Sequence, residues 1–404
     1  MSNININKVI VFLGLTGVIF MNFTVGYVSS FPITLGTLSV FIIIPILIRK
    51  VKVELIFLYF YLFFLIYPIL ISSEIDIEFL KSYSQYLILV TVGLLALQCP
   101  PLGKDGIVYF FKLSNFFAIS ISVLVILQFI TFNLFDSMIL LNPFGVFSAL
   151  GPGEEIYVPH HLASLKRPNG IYSEPSVCGW ILTLLAGICI FSYKMKYTSK
   201  TVFLSLLIIT TIAAILTFSL SGVFNILILW TIFFLFGANG KYIALKIISS
   251  VLILITFIFL VFELGLLDRL QNLTVEGTSV YFRVVAPLML VIDSIIEFPF
   301  GFPLGDLSFI KQKPYMINWD GGSSTNIENG FFVLFHHLGI VGILIFILVL
   351  KQLLNYLINK NELLFVTLPV FLALLQTGAI WSPNIIIMIC MVFIVCRAYR
   401  FEKS

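Results

Sequence analysis

Residues 167–194 read RPNGIYSEPSVCGWILTLLAGICIFSYK. From Val177 to Tyr193 this stretch carries no charge, and about 20 mostly apolar residues are what a helix needs to cross a bilayer. The first third differs in kind. Arg167 and Glu174 stand seven residues apart, separated by Pro168, Asn169 and Gly170 among others. Pro175 keeps Glu174 out of helical geometry and suits the first helical turn itself. The stretch reads as the mouth of a membrane span that holds a cation and an acid at its lip.

The rest of the chain repeats the apolar half of this pattern. Of its 404 residues 60% are hydrophobic and 10% charged, with a mean hydropathy of +1.11, where soluble domains carry roughly a quarter charged residues. Apolar runs recur from residue 8 to residue 398, with no separate soluble domain between them. We therefore expect an all-α polytopic membrane protein, one integral membrane domain over 1–404. Twelve helices are expected at about 8–25, 32–48, 55–72, 83–98, 107–134, 177–193, 201–218, 222–237, 247–265, 330–350, 363–378 and 383–397. No small-x-small cleavage site follows the first run, VIVFLGLTGVIF, so it reads as an uncleaved helix. Cys99, Cys178, Cys189, Cys390 and Cys396 lack metal or disulfide spacing and read as small buried hydrophobes.

Charge gives the orientation. With both termini in the cytoplasm, 16 of the 23 basic residues face inward, as membrane insertion favours. Only Glu54, Asp105, Glu362 and Glu402 join them, so the inner side carries 16 − 4 = +12 and the outer side 7 − 15 = −8. Residues 284–298, VVAPLMLVIDSIIEF, are short and acidic for a span and read as an interfacial helix. Two long external loops result, at 135–176 and 266–329; loops of that length usually carry function. Between them the turn TFSLSGV, 217–223, is flanked by short helices and is expected slightly below the outer surface, lining a cavity or covered by protein.

Few external residues can do chemistry. The external cations are Lys81, Lys166, Arg167, Arg269, Arg283, Lys311 and Lys313. Arg167 and Arg283 fall at headgroup level, where a guanidinium either binds a phosphate by paired hydrogen bonds or snorkels to lipid. Glu174 and Glu328 each precede a helix. Either could simply favour the helix start, with Asn326 or Glu328 as the second cap, or act as general base toward a sugar hydroxyl. The histidines come as adjacent pairs, 160–161 and 336–337, which suits metal binding poorly. Asp306, Asp320, Gly321 and Gly322 belong to the second long loop and could meet sugar hydroxyls.

RPNGIYSEPS resembles the R-x-x-G-x-x-x-E-P-S pattern of Wzy-type bacterial polysaccharide repeat-unit polymerases, which are related to O-antigen ligases. TFSLSGV, VEGTSVYFRVVAPL, FGFPLG (300–305), IENGFF (327–332) and TGAIWSP (377–383) agree with it in order, most like the colanic-acid polymerase branch. The resemblance covers about residues 160–385. It implies a GT-C-like glycosyltransferase of the bacterial inner membrane with its site facing the periplasm. The growing glycan, held on undecaprenyl diphosphate, would pass to a sugar hydroxyl of a second lipid-linked repeat unit. It implies no cofactor, nucleotide sugar, metal or nucleic acid; expected partners are the donor and acceptor glycans, membrane lipid, and a chain-length regulator and flippase of the same pathway. On this resemblance Arg167, Arg283 and Arg269 bind the diphosphate, and Glu328 deprotonates the acceptor with Glu174 as its competitor. Tyr172, Ser176, Ser221, Tyr281, Asn329 and His336 would contact substrate. Many relatives have His-Asn where this chain has Glu328 and Asn329, and an Arg in the serine turn that is missing here. An O-antigen ligase, a flippase of the lipid-linked sugar and a structural scaffold are the rival readings.

Overall fold

The computed structural model describes residues 6–140, 161–237, 279–316 and 327–403, except 22, 29, 30, 52, 53, 73, 74, 138, 163, 164, 173, 328, 378, 379 and 381; positions 251 and 258 are described in isolation. Helix α1 (Ile6–Ile19) leads into an antiparallel hairpin, β1 (Thr24–Val28) with β2 (Phe31–Thr34). The first predicted span, 8–25, thus ends early, because the strand-forming TVGYV pairs with FPIT instead of prolonging the helix. Thr34 closes the hairpin and caps α2 (Leu35–Lys50) by accepting the Thr37 N–H. Next come α3 (Leu55–Ile71), α4 (Ile77–Gln98, capped by Asp76) and α5 (Lys104–Asn133). A two-residue hairpin, β3 (His161–Leu162) with β4 (Leu165–Lys166), precedes α6 (Pro175–Lys194), α7 (Lys200–Leu216) and α8 (Leu220–Gly237).

The second half contains α9 (Ser279–Glu297), the single turn α10 (Ser308–Lys311), α11 (Gly330–Leu338), α12 (Ile340–Ile358), α13 (Leu364–Leu374) and α14 (Pro383–Lys403). A helix covers most of the predicted 284–298 segment and starts about a turn earlier, at Ser279. The predicted ninth span, 247–265, falls outside the described residues apart from 251 and 258. Among the described residues, α4, α5, α6 and α12 are long and apolar enough to cross a membrane, and shorter apolar helices accompany them.

Helix α6 is the innermost of the four. Inside its apolar window 83% of residues are buried, against 17% in α4 and α12, whose remaining faces are left for lipid. Lipid is as apolar as leucine, so helices in a bilayer are held by close packing and interhelical hydrogen bonds more than by apolar burial. Glycines on α6 permit that packing. A β-carbon on Gly187 would stand 2.1 Å from the Phe365 carbonyl of α13, and one on Gly179 would stand 2.6 Å from the α-carbon of Gly222 in α8.

Basic residues gather at one end of the bundle. Lys194 closes α6 beside Lys360 and Asn361, Tyr399 of α14 donates to Glu362, and Arg397 donates to the Leu97 carbonyl. The lip of Arg167 and Glu174 lies at the other end of α6, and 20 helical residues span about 30 Å.

The predicted tenth span, 330–350, is two helices. Gly339 breaks it with φ +54° and ψ −130°, and a β-carbon there would stand 2.2 Å from the Pro299 carbonyl. Ile340 N–H donates to that carbonyl at 2.9 Å, and Tyr67 of α3 donates to the Phe300 carbonyl at 2.6 Å. The break lets α11 lie at the lip end while α12 runs back toward the basic end. Gly339→Ala should destabilise the protein by about 1–3 kcal/mol from backbone strain alone, with the steric clash adding to it. Thermal unfolding of purified protein measures this, and an unchanged midpoint would refute the break as described.

Candidate functional site

Arg167 is half-buried, and its Nε donates to the Thr217 carbonyl at 3.3 Å. Thr217 closes α7 and opens the serine turn, where Phe218 adopts φ +47° and Ser219 and Ser221 join hydroxyls at 2.9 Å. The turn is held against the first turns of α6 because Gly222 meets Gly179 without side chains between them. Two stretches about 50 residues apart in sequence thus form one lip. Thr217, Phe218 and Ser219 are buried, so this part of the turn is covered by protein, one of the two arrangements expected from the sequence.

The segment between Arg167 and α6 is fixed from below. Gln128 of α5 is fully buried, and its amide makes four hydrogen bonds: it accepts Asn169 N–H (3.1 Å) and Gly170 N–H (2.7 Å) and donates to the carbonyls of Gly170 (2.7 Å) and Leu140 (2.9 Å). Gly170 adopts φ +64°, the left-handed conformation that glycine takes at least cost. Asn169 donates to the Tyr172 carbonyl. Tyr172 is fully buried beneath this turn, and its hydroxyl has no partner among the described residues. Glu174 is exposed at the start of α6, where Ser176 donates to its carboxylate at 2.7 Å. Its backbone carbonyl accepts the Cys178 N–H.

A third element arrives through α13. Its eleven residues cover about 16 Å, less than the length of α6 beside it. Past its end Gln376 exchanges reciprocal hydrogen bonds with Asn225 of α8, one turn below Ser221, at 3.0 and 2.8 Å. Asn329 donates to the Leu375 carbonyl at 3.0 Å and caps α11 by accepting the N–H groups of Phe331 and Phe332. The cap is therefore Asn329, in place of the expected Asn326 or Glu328, because the helix starts at Gly330 and the residue directly before it can reach the N–H groups two and three positions on. Both groups of the Asn329 amide are engaged in this structure.

The other predicted site residues fall in two groups. Glu328 and Arg269 lie outside the described residues; Arg283 is placed on α9, but its side chain is not described. Tyr281 is buried on α9. His336 is fully buried on α11, bonded through Nδ1 to Ser294 of α9 at 2.7 Å and stacked on Phe302 and Phe309. Ser221, Ser176, Tyr172, Glu174 and Arg167 are the ones brought together. Sequence reasoning missed Gln128, Asn225 and Gln376. The signal was present, since each is a lone amide in or at the end of an apolar helix, a costly placement without a partner.

The segment that follows α10 is anchored to α9. Tyr315 donates to Asp293 at 2.6 Å, while Lys313 pairs with Asp293 and Glu297, both at 3.0 Å, and lies 4.2 Å from the Phe309 ring centroid. The Tyr315 hydrogen bond and that of Lys313 hold the Asp293 carboxyl below the usual carboxylate range.

A bundle of apolar helices with one end built from polar turns defines the class: an all-α membrane protein. The chain belongs to the WcaD colanic acid polymerase family, whose model matches residues 9–398. It is thus a polysaccharide polymerase by family, and the stretches RPNGIYSEPS, TFSLSGV and IENGFF all lie within the match. No curated protein matches the chain.

Gln128→Leu leaves buried backbone groups of residues 169 and 170 unpaired and should cost about 1–3 kcal/mol per group. Loss of polymer with a lowered unfolding midpoint is the expected result; an unchanged midpoint would remove Gln128 from this role. A depressed Asp293 pKa stabilises the anchor fully above the unfolded value of about 4, and the contribution disappears as pH falls through the folded value. Hydrogen exchange over 308–316, corrected for intrinsic rates, should accelerate below about pH 4. Asp293→Asn should accelerate it already at pH 7.

Proposed function

We propose that the chain joins undecaprenyl-diphosphate-linked repeat units into a surface polysaccharide on the periplasmic face of the bacterial inner membrane. The growing glycan leaves its lipid diphosphate and passes to a sugar hydroxyl of a second lipid-linked unit. The acceptor oxygen bonds to the donor anomeric carbon, the bond from that carbon to the diphosphate oxygen breaks, and the diphosphate departs with the electron pair. The acceptor proton goes to a carboxylate.

The observation that carries this reading is the Arg167 guanidinium, docked on the Thr217 carbonyl at the polar end of the bundle. A guanidinium is a permanent positive charge with its donors in a planar fork, the geometry that suits phosphate oxygens. Arg283, on α9, is the second proposed diphosphate ligand and Arg269 the third. Glu328, which precedes the α11 cap, is the proposed base. Glu174, turned by Ser176 and exposed, is its competitor or orients Arg167. Tyr172, Ser176, Ser221, Tyr281, Asn329 and His336 are proposed to contact or shape the glycan site.

The basic end of the bundle supports the proposed orientation, since the positive-inside rule favours such an end, with both termini, in the cytoplasm. A lipid carrier supports the same arrangement, because its diphosphate lies at headgroup level, where the lip is expected. Transport across the bilayer would call for ionisable groups at midplane. The polar pair at depth here is neutral, Asn225 with Gln376.

Arg167→Ala and Arg283→Ala should each slow polymerisation by about 10²–10³-fold, the usual loss of one charge-stabilising contact in a transition state, while the protein still inserts. Normal chain lengths in both variants would sink the diphosphate role. Deleting the gene and analysing lipid-linked glycans tests the reaction itself. Single repeat units on the outer leaflet support a polymerase. Units trapped inside point to a flippase, and free full-length polymer to a ligase; either would overturn the proposal.

A further inference from the structure

At the basic end, about 30 Å of helix from the lip, lies a polar cavity. It has a volume of about 140 Å³ and is lined by Lys194, Lys360, Asn361, Glu362, Leu364 and Phe365. Leu364 and Phe365 are buried and form an apolar floor, so the polar groups make the walls. The volume is several times the roughly 30 Å³ that one water occupies in the liquid, so the cavity can hold a group larger than water.

The walls favour an anion. Glu362 is the one acid among the lining residues, and its carboxylate accepts the Tyr399 hydroxyl. Asn361 Oδ1 accepts the Leu363 N–H, which leaves its amide nitrogen as the donor side. Lys360 makes no ion pair among the described residues. The N–H groups of Leu364 and Phe365 are bonded to the carbonyls of Asn361 and Glu362, so the attraction comes from side chains: Lys360, and Lys194, whose ammonium also lies 5.8 Å from the Phe233 ring centroid.

Backbone conformation adds a separate observation. Lys360 adopts φ +50° in the left-handed region just past α12, where glycine is the default and a side chain is strained. A glycine there would close the helix without strain but would remove one wall charge. The chain instead keeps an ammonium at the rim.

We propose that this cavity binds a phosphate group, held between the Lys194 and Lys360 ammonium groups and the Asn361 amide. Basic pockets between helices at the cytoplasmic surface suit the headgroups of anionic lipids, and a soluble phosphate offers the same chemistry. Assigning the inner leaflet rests on the orientation proposed above; binding itself does not, so the two can fail separately. The occupant would fasten the end of α6 to the α12–α13 turn, at the opposite end of the helix that carries the lip.

The test uses full-length protein in detergent and native mass spectrometry. Phosphatidylglycerol retention is compared among wild type, Lys194→Gln and Lys360→Gly, with inorganic phosphate as competitor. Each variant should weaken retention about fivefold, the usual contribution of one lysine near an anionic headgroup. Lys360→Gly relieves backbone strain, so weaker retention in that variant reports lost charge and not misfolding. Displacement of the lipid by millimolar phosphate assigns the site to free phosphate; resistance to it assigns the site to the lipid. Equal retention by wild type and both variants overturns the proposal.

Discussion

Two backbones touch at Gly179 and Gly222, and the rest of the polar end depends on that contact. Any side chain at either position would occupy the space of the other helix, with only 2.6 to 2.8 Å between a β-carbon and the opposing α-carbon. Packing of this kind is the principal attraction between helices in lipid. Here it also sets a position: it brings the Arg167 segment, at the start of α6, against the serine turn that joins α7 to α8. The site is therefore not supported by the loops themselves. It is supported by a helix crossing one turn further in.

The same end must satisfy its own backbone without water. Helix ends carry unsatisfied N–H and C=O groups, and each costs several kcal/mol if left bare in hydrocarbon. This structure meets them with neutral amides. Gln128 serves residues 169 and 170, Asn329 serves both the start of α11 and the end of α13, and Asn225 with Gln376 close the gap below the serine turn. Because amides donate and accept together, each joins two elements without bringing a net charge into the bilayer.

The apolar helical character of the chain was legible because composition and apolar run length act over many residues at once. The α6 start at Pro175, the helix over 279–297 and the short helices around the serine turn follow from such signals. Local breaks were harder to read. Nothing in IENGFFVLFHHLGIVGILIF marks residue 339 apart from the glycine at 342, yet only residue 339 adopts positive φ. That conformation is imposed by Pro299 and Gly301, distant in sequence. The end of α1 was missed for a similar reason, since the hairpin at 24–34 competes with a helix that composition alone would extend. Gln128 stood alone in α5, and its partners at 169 and 170 became visible only when two distant segments met.

The shortness of α13 has a mechanical meaning. Its eleven residues rise about 16 Å and end where the Leu374 carbonyl meets Gly330 of α11. Leu375 and Gln376, just beyond, are thereby held where their polar groups meet Asn329 and Asn225. One further turn of helix would carry both groups about 5 Å past those partners. The number of residues in α13 is thus a constraint on the polar end in its own right, as a spacer of fixed length.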